Sequence, residues 1–315
     1  MTLPLLLAAT VLLGQADAGY VREKTDDGAH CFRWPVAAGA TSQLTFVQSS
    51  TGDPTLGAGF FDAVSRSEAT WATQASTCAS LQLLEGAHST SRLVGFNTDG
   101  GNENLVLART ANCDVTVLPG DPCHTSQTCG NVYDCWEHGA GVLALTSVTF
   151  ASNGAVVDTD IEINAASATP SIVDSPPCTG GVINSSCVAN DVQNTVTHEF
   201  GHALGLDHSP DPTSTMYASA PVGETSKRIL DPASKQFVCD VYPRGLASND
   251  CALADAGTSP GSGGGGGGQG NVPGGPTGPG IARTSTSGCA AVPGAASPVV
   301  ALAALSLVAL AMRRR

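Results

Sequence analysis

Residues 198–209 read His-Glu-Phe-Gly-His-Ala-Leu-Gly-Leu-Asp-His-Ser and hold three of the chain's seven histidines. His198 and His202 are four apart, so on a helix their imidazoles leave the same face one turn apart. Two neutral imidazoles at that spacing can each place a ring nitrogen about 2.0–2.1 Å from one zinc ion. Gly205 stands where such a helix would end, in the position that takes a left-handed turn. That turn brings back His208 as a third ligand. Three protein ligands with a fourth position open to water is the pattern of a catalytic zinc, not a structural one. Glu199, beside the first imidazole, is placed to take a proton from the metal-activated water as it attacks a peptide carbonyl. The same carboxylate can pass that proton to the leaving amine. Five fixed residues at these offsets arise by chance in roughly one chain in 10⁵ of this composition.

The element that must carry these groups is a helix. Val192, Val196, Phe200 and Ala203 recur at helical spacing, with Asp191 near the start. With Met216 eight residues beyond His208, in Ser-Thr-Met-Tyr, the segment resembles the metzincin pattern H-E-x-x-H-x-x-G-x-x-H followed by a Met-turn. Ser209 after the last histidine and the Gly-Leu before it make the resemblance matrixin-like. It implies an α+β fold: a metzincin-like, disulfide-stapled catalytic domain with a twisted mixed sheet, an active-site helix and a Met-turn. It also implies that Met216 is a packing floor beneath the metal. One departure is Ala218, where matrixins usually have Pro, so their pocket preferences do not carry over.

Fainter resemblance covers residues 32–243. Leu44 and Phe46 alternate with polar neighbours as a strand, and Phe61, Val64, Trp71 and Ala75 share one helical face. Residues 143–150 are β-rich and would correspond to the edge strand that metzincins pair with extended substrate by strand addition. Val157, Thr159, Ile161 and Ile163 alternate with Asp158, Asp160, Glu162 and Asn164, which predicts a strand with one wet face. Those acids could hold Ca2+, but strand alternation is not a ligand loop, and nothing else in the sequence supports calcium. Asp231-Pro232 predicts a last short helix ending near Tyr242-Pro243. His124 and His138 accompany a Cys-rich insertion and are read as structural.

Eleven cysteines are many for a cytosolic enzyme. Setting aside Cys289, the remaining ten read as up to five disulfides. Their pairing cannot be deduced, though Cys178 with Cys187 would close a short loop. Residues 3–13 are almost wholly apolar and precede Ala16-Asp17-Ala18, a signal peptide over residues 1–18 with cleavage before Gly19. The metallopeptidase domain is then 19–255, followed by a Gly/Pro/Ser-rich linker over 256–287. Residues 288–315 hold Gly288-Cys289, an apolar stretch and three terminal arginines. That arrangement resembles the MYXO-CTERM sorting segment of myxobacterial surface proteins. The resemblance implies processing near Cys289 by a sorting protease and display on the cell surface; the alternative is an ordinary membrane anchor.

A net charge of −13, from 27 acidic and 14 basic residues, argues against nucleic acid as a partner. The whole reads as an exported, monomeric zinc endopeptidase acting on protein or peptide substrates, with one catalytic Zn2+ held by His198, His202 and His208. Glu199 is its general base. The rivals are a zinc-stabilised surface adhesin without turnover, and a zinc exopeptidase or amidase acting on cell-wall peptides.

Overall fold

A computed structural model describes residues 19–184, 186–251 and 283–292. The signal segment, most of the linker and the apolar tail from residue 293 lie outside the described residues. Among the described residues no helix is long and apolar enough to cross a membrane.

In chain order the elements are β1 (Ser42–Gln48), α1 (Ala58–Cys78), β2 (Leu81–Glu85), β3 (Asn104–Arg109), three short helices α2 (Cys113–Thr116), α3 (Pro122–Ser126) and α4 (Cys129–Tyr133), then β4 (Val142–Phe150) and β5 (Val156–Asn164). There follow β6 (Pro170–Ser171), β7 (Asn190–Asp191), α5 (Val192–Ala203), β8 (Ser219–Pro221), α6 (Pro232–Val241) and β9 (Arg283–Val292). Seven strands form one mixed sheet in the order β2-β1-β3-β5-β4-β9-β8. The strands β2, β1, β3 and β5 run parallel, and β4 is antiparallel to β5. Residues 283–287, expected as the end of a tether, instead pair with β4 as part of β9.

Burial explains the placement. In β1, Leu44 and Phe46 point inward and Gln43 and Thr45 outward. α1 buries Phe60, Val64, Trp71 and Ala75, so Phe60 takes the inward position expected for Phe61, whose ring lies half out against His88. Against α1 and the sheet lies α5, in which every residue but Gln193 is buried. A helix end sunk that deep must satisfy its free carbonyls. The Trp34 indole donates to Ala203 O at 2.9 Å and the Tyr242 hydroxyl to Leu204 O at 2.6 Å. The indole of Trp71 donates to Thr197 O at 2.8 Å in the helix middle. Asp231 caps α6 by accepting from Ala233 and Ser234.

All ten cysteines in question are paired: Cys31–Cys251, Cys78–Cys239, Cys113–Cys135, Cys123–Cys129 and Cys178–Cys187. The first two join residues 220 and 161 apart and tie the C-terminal part back to the segment before β1 and to the end of α1.

The expectation for β5 needs correcting. Asp158, Asp160, Glu162 and Asn164 are buried, while Val157 is 40% exposed. Both faces of β5 are covered because the Cys-rich insertion and the loop before β3 fold over the supposed wet side. Their polar groups make that burial tolerable. Arg109, itself fully buried, donates to Glu162 at 2.6 Å and to Asp134 at 2.8 Å. Asp160 accepts the backbone N–H groups of Gly95 and Leu105. Asp160 and Glu162 are thus engaged by protein donors rather than lying open to a cation.

Removing one partner of a buried ion pair strands the other charge. R109A is therefore expected to lose about 3–5 kcal/mol in urea unfolding with disulfides intact, and R109A combined with Glu162→Ala to recover part of that loss. Glu68 gives a pH signature. Burial, with Glu85 nearby, pushes its carboxyl up to about 7. A folded-state pKa above the unfolded value means the contribution is complete below the unfolded pKa and is lost as pH rises through 7. Glu68→Gln should thus match the parent's Tm at pH 4 and exceed it by a few degrees at pH 8, read by calorimetry.

Candidate metal centre

Three imidazoles converge at the C-terminal end of α5. Its start is set by Asp191, whose carboxylate accepts from Asn194 N–H at 2.7 Å and pairs with Arg228. His198 and His202 then emerge from one face, with ring centroids 4.8 Å apart. After Ala203 the chain reverses at Gly205, whose φ is +104°. The Gly205 and Leu206 N–H groups close the helix on His202 O and Gly201 O, both at 2.9 Å. A Cβ on Gly205 would sit 2.5 Å from Phe32 O, so both the backbone angle and the space demand glycine. The reversed chain is held by Asp207 N–H donating to Val21 O and Ser209 N–H to Met216 O, and His208 lies between these two anchors.

The ring nitrogens can be assigned protons. His198 Nδ1 lies 2.7 Å from Thr215 O and His202 Nδ1 2.8 Å from Leu206 O. A carbonyl only accepts, so each Nδ1 carries the hydrogen and each neutral ring leaves a lone pair on Nε2. The Nε2 of His202 is 3.1 Å from that of His198 and 3.2 Å from that of His208. Lone pairs facing one another so closely repel unless a cation sits among them. Three nitrogens at about 2.0–2.1 Å from a tetrahedral zinc would stand about 3.3 Å apart, so the donor set fits that ion. Burial and the neighbouring rings hold His198 well below its ordinary pKa and bring His208 down to about 3. Burial also disfavours charge on His202, but Glu23 beside it reverses the balance and its pKa is raised.

Glu199 is fully buried. Its Oε2 accepts from the Thr146 hydroxyl at 2.6 Å and its Oε1 from the Cys289 N–H at 3.0 Å. Burial pushes its carboxyl up to about 7, against the pull of His202 and both donors. Met216 is 2% exposed. Its thioether packs so closely under Gly201, beside Trp71, that a side chain at 201 would strike the sulfur. Cys289, singled out as a sorting residue, lies fully buried in this same centre.

A second group of metal-ligating types, Cys123, His124 and Cys129, also clusters. Its two thiols are spent on the Cys123–Cys129 disulfide, so His124 keeps its structural reading. His138 packs edge-on to Trp136, 3.8 Å from Glu162.

Two site residues escaped the sequence. Thr146 lies on β4 and is fully buried over Glu199; the β-rich run 143–150 included that position but did not mark its role. Glu23 is 5% exposed, with Oε1 at 3.2 Å from His202 Nδ1. It is remote in sequence from His202, and no local pattern marks it. The pairing of residues 21–23 with residues 205–207, which includes the bridge between Arg22 and Leu206, brings it there.

The matrixin family matches residues 41–242. A probable matrix metalloproteinase 095L of Invertebrate iridescent virus 3 is 66% identical over 29 residues, 9% of this chain. The match spans 8% of that protein's own length.

A carboxylate behind a metal-holding imidazole orients the ring and raises its basicity, and its loss weakens metal affinity about 10–100-fold. Glu23→Gln should show that weakening in zinc competition against a chromophoric chelator, with the thermal midpoint of the metal-free protein little changed.

Proposed function

Because this chain belongs to the matrixin family, whose members are zinc metallopeptidases, we propose that it is an exported endopeptidase with His198, His202 and His208 as zinc ligands and Glu199 as general base. The observation that carries this reading is the convergence of three Nε2 lone pairs beside a buried carboxylate. Zinc held there supplies Lewis acidity, polarising a peptide carbonyl and making water a better nucleophile near neutral pH. The family also commonly uses calcium, and among the acids of β5 Asp160 and Glu162 are already engaged by protein donors.

The chain's own groups do the rest. The Nδ1–H bonds to Thr215 O and Leu206 O hold His198 and His202 in the tautomer that presents Nε2. Thr146 holds one oxygen of Glu199 and leaves the other facing the cleft. Glu199 accepts a proton from the attacking water and delivers it to the nitrogen of the bond being cut. Its raised pKa, about 7, suits a group that must take and return a proton near neutrality.

Action on internal bonds is supported by the shape of the cleft. β4 and β8 flank a groove in which β9 extends on both sides of the centre, from residue 283 to residue 292. A groove open at both ends admits the middle of a chain, whereas an exopeptidase needs one end closed. Export is supported by the apolar segment 3–13 before Ala16-Asp17-Ala18 and by five disulfides, which persist in oxidising compartments. The Gly-Cys, apolar and arginine segment from residue 288 supports placement at the cell surface.

The test is hydrolysis of an unfolded protein by the zinc-loaded full chain beside Glu199→Ala. The parent should yield internal fragments, and the variant should bind one zinc while losing about 10²–10⁴-fold in turnover. Terminal trimming alone would replace the reading with an exopeptidase, and full turnover by the variant would remove Glu199 from its role.

A further inference from the structure

The cleft contains a piece of the same chain, seated as a peptide. β9 pairs antiparallel with β4 from Phe150↔Arg283 to Val142↔Ala290, and parallel with β8 through Ser219↔Ala290 and Ala220↔Ala291. Both edges of the strand are thereby hydrogen-bonded. Ala290 N–H donates to Ala218 O at 2.9 Å, and Ala291 N–H to Gly141 O at 2.8 Å.

One peptide bond lies over the centre. On its nitrogen side, Cys289 N–H donates to Glu199 Oε1 at 3.0 Å. On its carbonyl side, Gly288 is paired with Leu145 of β4, and its backbone lies beside the His208 imidazole. The Gly288–Cys289 bond thus lies between the Glu199 carboxylate and one of the three imidazoles of the centre. The flanking side chains hold the register. Ser287 donates to Glu23 at 2.6 Å, the Thr284 and Thr149 hydroxyls meet at 3.1 Å, and Arg283 pairs with Asp26 at 2.6 Å.

Side-chain space picks out this dipeptide. A Cβ on Gly288 would collide with Ala144 O, a backbone atom that cannot turn aside. The Cys289 side chain enters an apolar pocket formed by Leu143 and Ala220, with Ala168 and Ala291 at its rim. Its sulfur does not belong to the metal-holding group, which comprises three imidazoles. The strand therefore presents a peptide bond to the centre, not a thiol. The chain can reach this position in cis: residues 251 and 283 are separated by enough backbone to extend on the order of 100 Å.

Resting on the peptidase reading above, we propose that the chain is its own substrate and hydrolyses the Gly288–Cys289 bond intramolecularly. The oxygen of one water joins the Gly288 carbonyl carbon, the C–N bond breaks, and the proton taken by Glu199 goes to the Cys289 nitrogen. The products are a domain ending in the Gly288 carboxylate and a fragment 289–315 with a free α-amine. No oxidant or reductant is involved.

The full chain, stripped of metal by a chelator and then given zinc, is followed by intact mass with an unfolded protein added as external substrate. The expected result is a species ending at Gly288 and the fragment 289–315, formed at a rate unchanged over about 100-fold dilution because the tether supplies the local concentration. Glu199→Ala should stay whole. External hydrolysis with the chain's own tail uncut, or cut elsewhere, overturns the self-cleavage and leaves the peptidase standing. Hydrolysis of neither overturns both, and a rate that climbs with concentration overturns the intramolecular route. The seating is read separately in metal-free Glu199→Ala, where Cys289 is the free cysteine. Its alkylation by iodoacetamide should be at least about 100-fold slower than in the urea-unfolded chain with disulfides intact. Adding Gly288→Val should release the thiol to fast alkylation with the circular dichroism spectrum of the fold retained. A thiol that reacts at the unfolded rate in Glu199→Ala, or stays protected after Gly288→Val, shows that the strand is not held as described.

Discussion

Two ring hydrogens organise this molecule. The Nδ1–H groups of His198 and His202 need carbonyl acceptors inside a dry interior, and Thr215 O and Leu206 O provide them. Placing Leu206 O there requires the helix to stop at Ala203 and turn through a residue with positive φ, which Gly205 does. Placing Thr215 O requires the loop after His208 to fold back beneath the helix, and Ser209 N–H on Met216 O closes that loop. Asp231 then holds the loop from below, accepting Thr215 N–H at 2.8 Å while capping α6. A tautomer is thus coupled to a helix end, a loop and the cap of the next helix.

The second demand is dryness. α5 carries Asn194, Thr195, Thr197, two histidines and a glutamate, yet only Gln193 reaches solvent. Burial of such a helix is tolerable where its polar groups meet partners, and the Thr197 hydroxyl is an exception that meets none. Trp34, Tyr242 and Trp71 direct their donors at its carbonyls while burying large apolar surfaces. Those aromatics come from the segment before β1, from the end of α6 and from α1. The fold brings three distant parts of the chain to one helix, and the Cys31–Cys251 and Cys78–Cys239 disulfides bridge these same regions.

What the sequence could disclose follows from how local each constraint is. The histidine spacing, the glycine turn, Met216 and the caps Asp191 and Asp231 are short-range patterns, and they were legible. The acids of β5 misled because alternation records which residues share a face, not whether a later segment covers it. Arg109 from β3 and the Cys-rich insertion supply that cover. Glu23 was silent for the same reason: its contact with His202 depends on an isolated bridge between Arg22 and Leu206. Phe60 and Phe61 both fit a helical stripe, and only the position of the sheet chooses between them. The tail hid its strand behind composition. Residues 283–287 read as the end of a Gly/Pro/Ser-rich tether, yet residues 284–287 alternate Thr and Ser, and that run pairs with β4.

A peptide-binding groove leaves a sheet edge with unpaired N–H and C=O groups, an invitation to pairing with other chains. Here β4 is covered over its length by β9, and the short edge of β8 is used as well. Keeping the edge covered and keeping the cleft shut are therefore one physical act, performed by the same hydrogen bonds. The strand that performs it has a glycine, Gly288, where a side chain would strike the backbone of β4, and its buried thiol against Leu143 and Ala220. A peptide pairing with β4 by strand addition would use the same donors and acceptors that β9 uses. A tethered strand is present at high local concentration, so occupancy of this edge by β9 follows from its being part of the same chain.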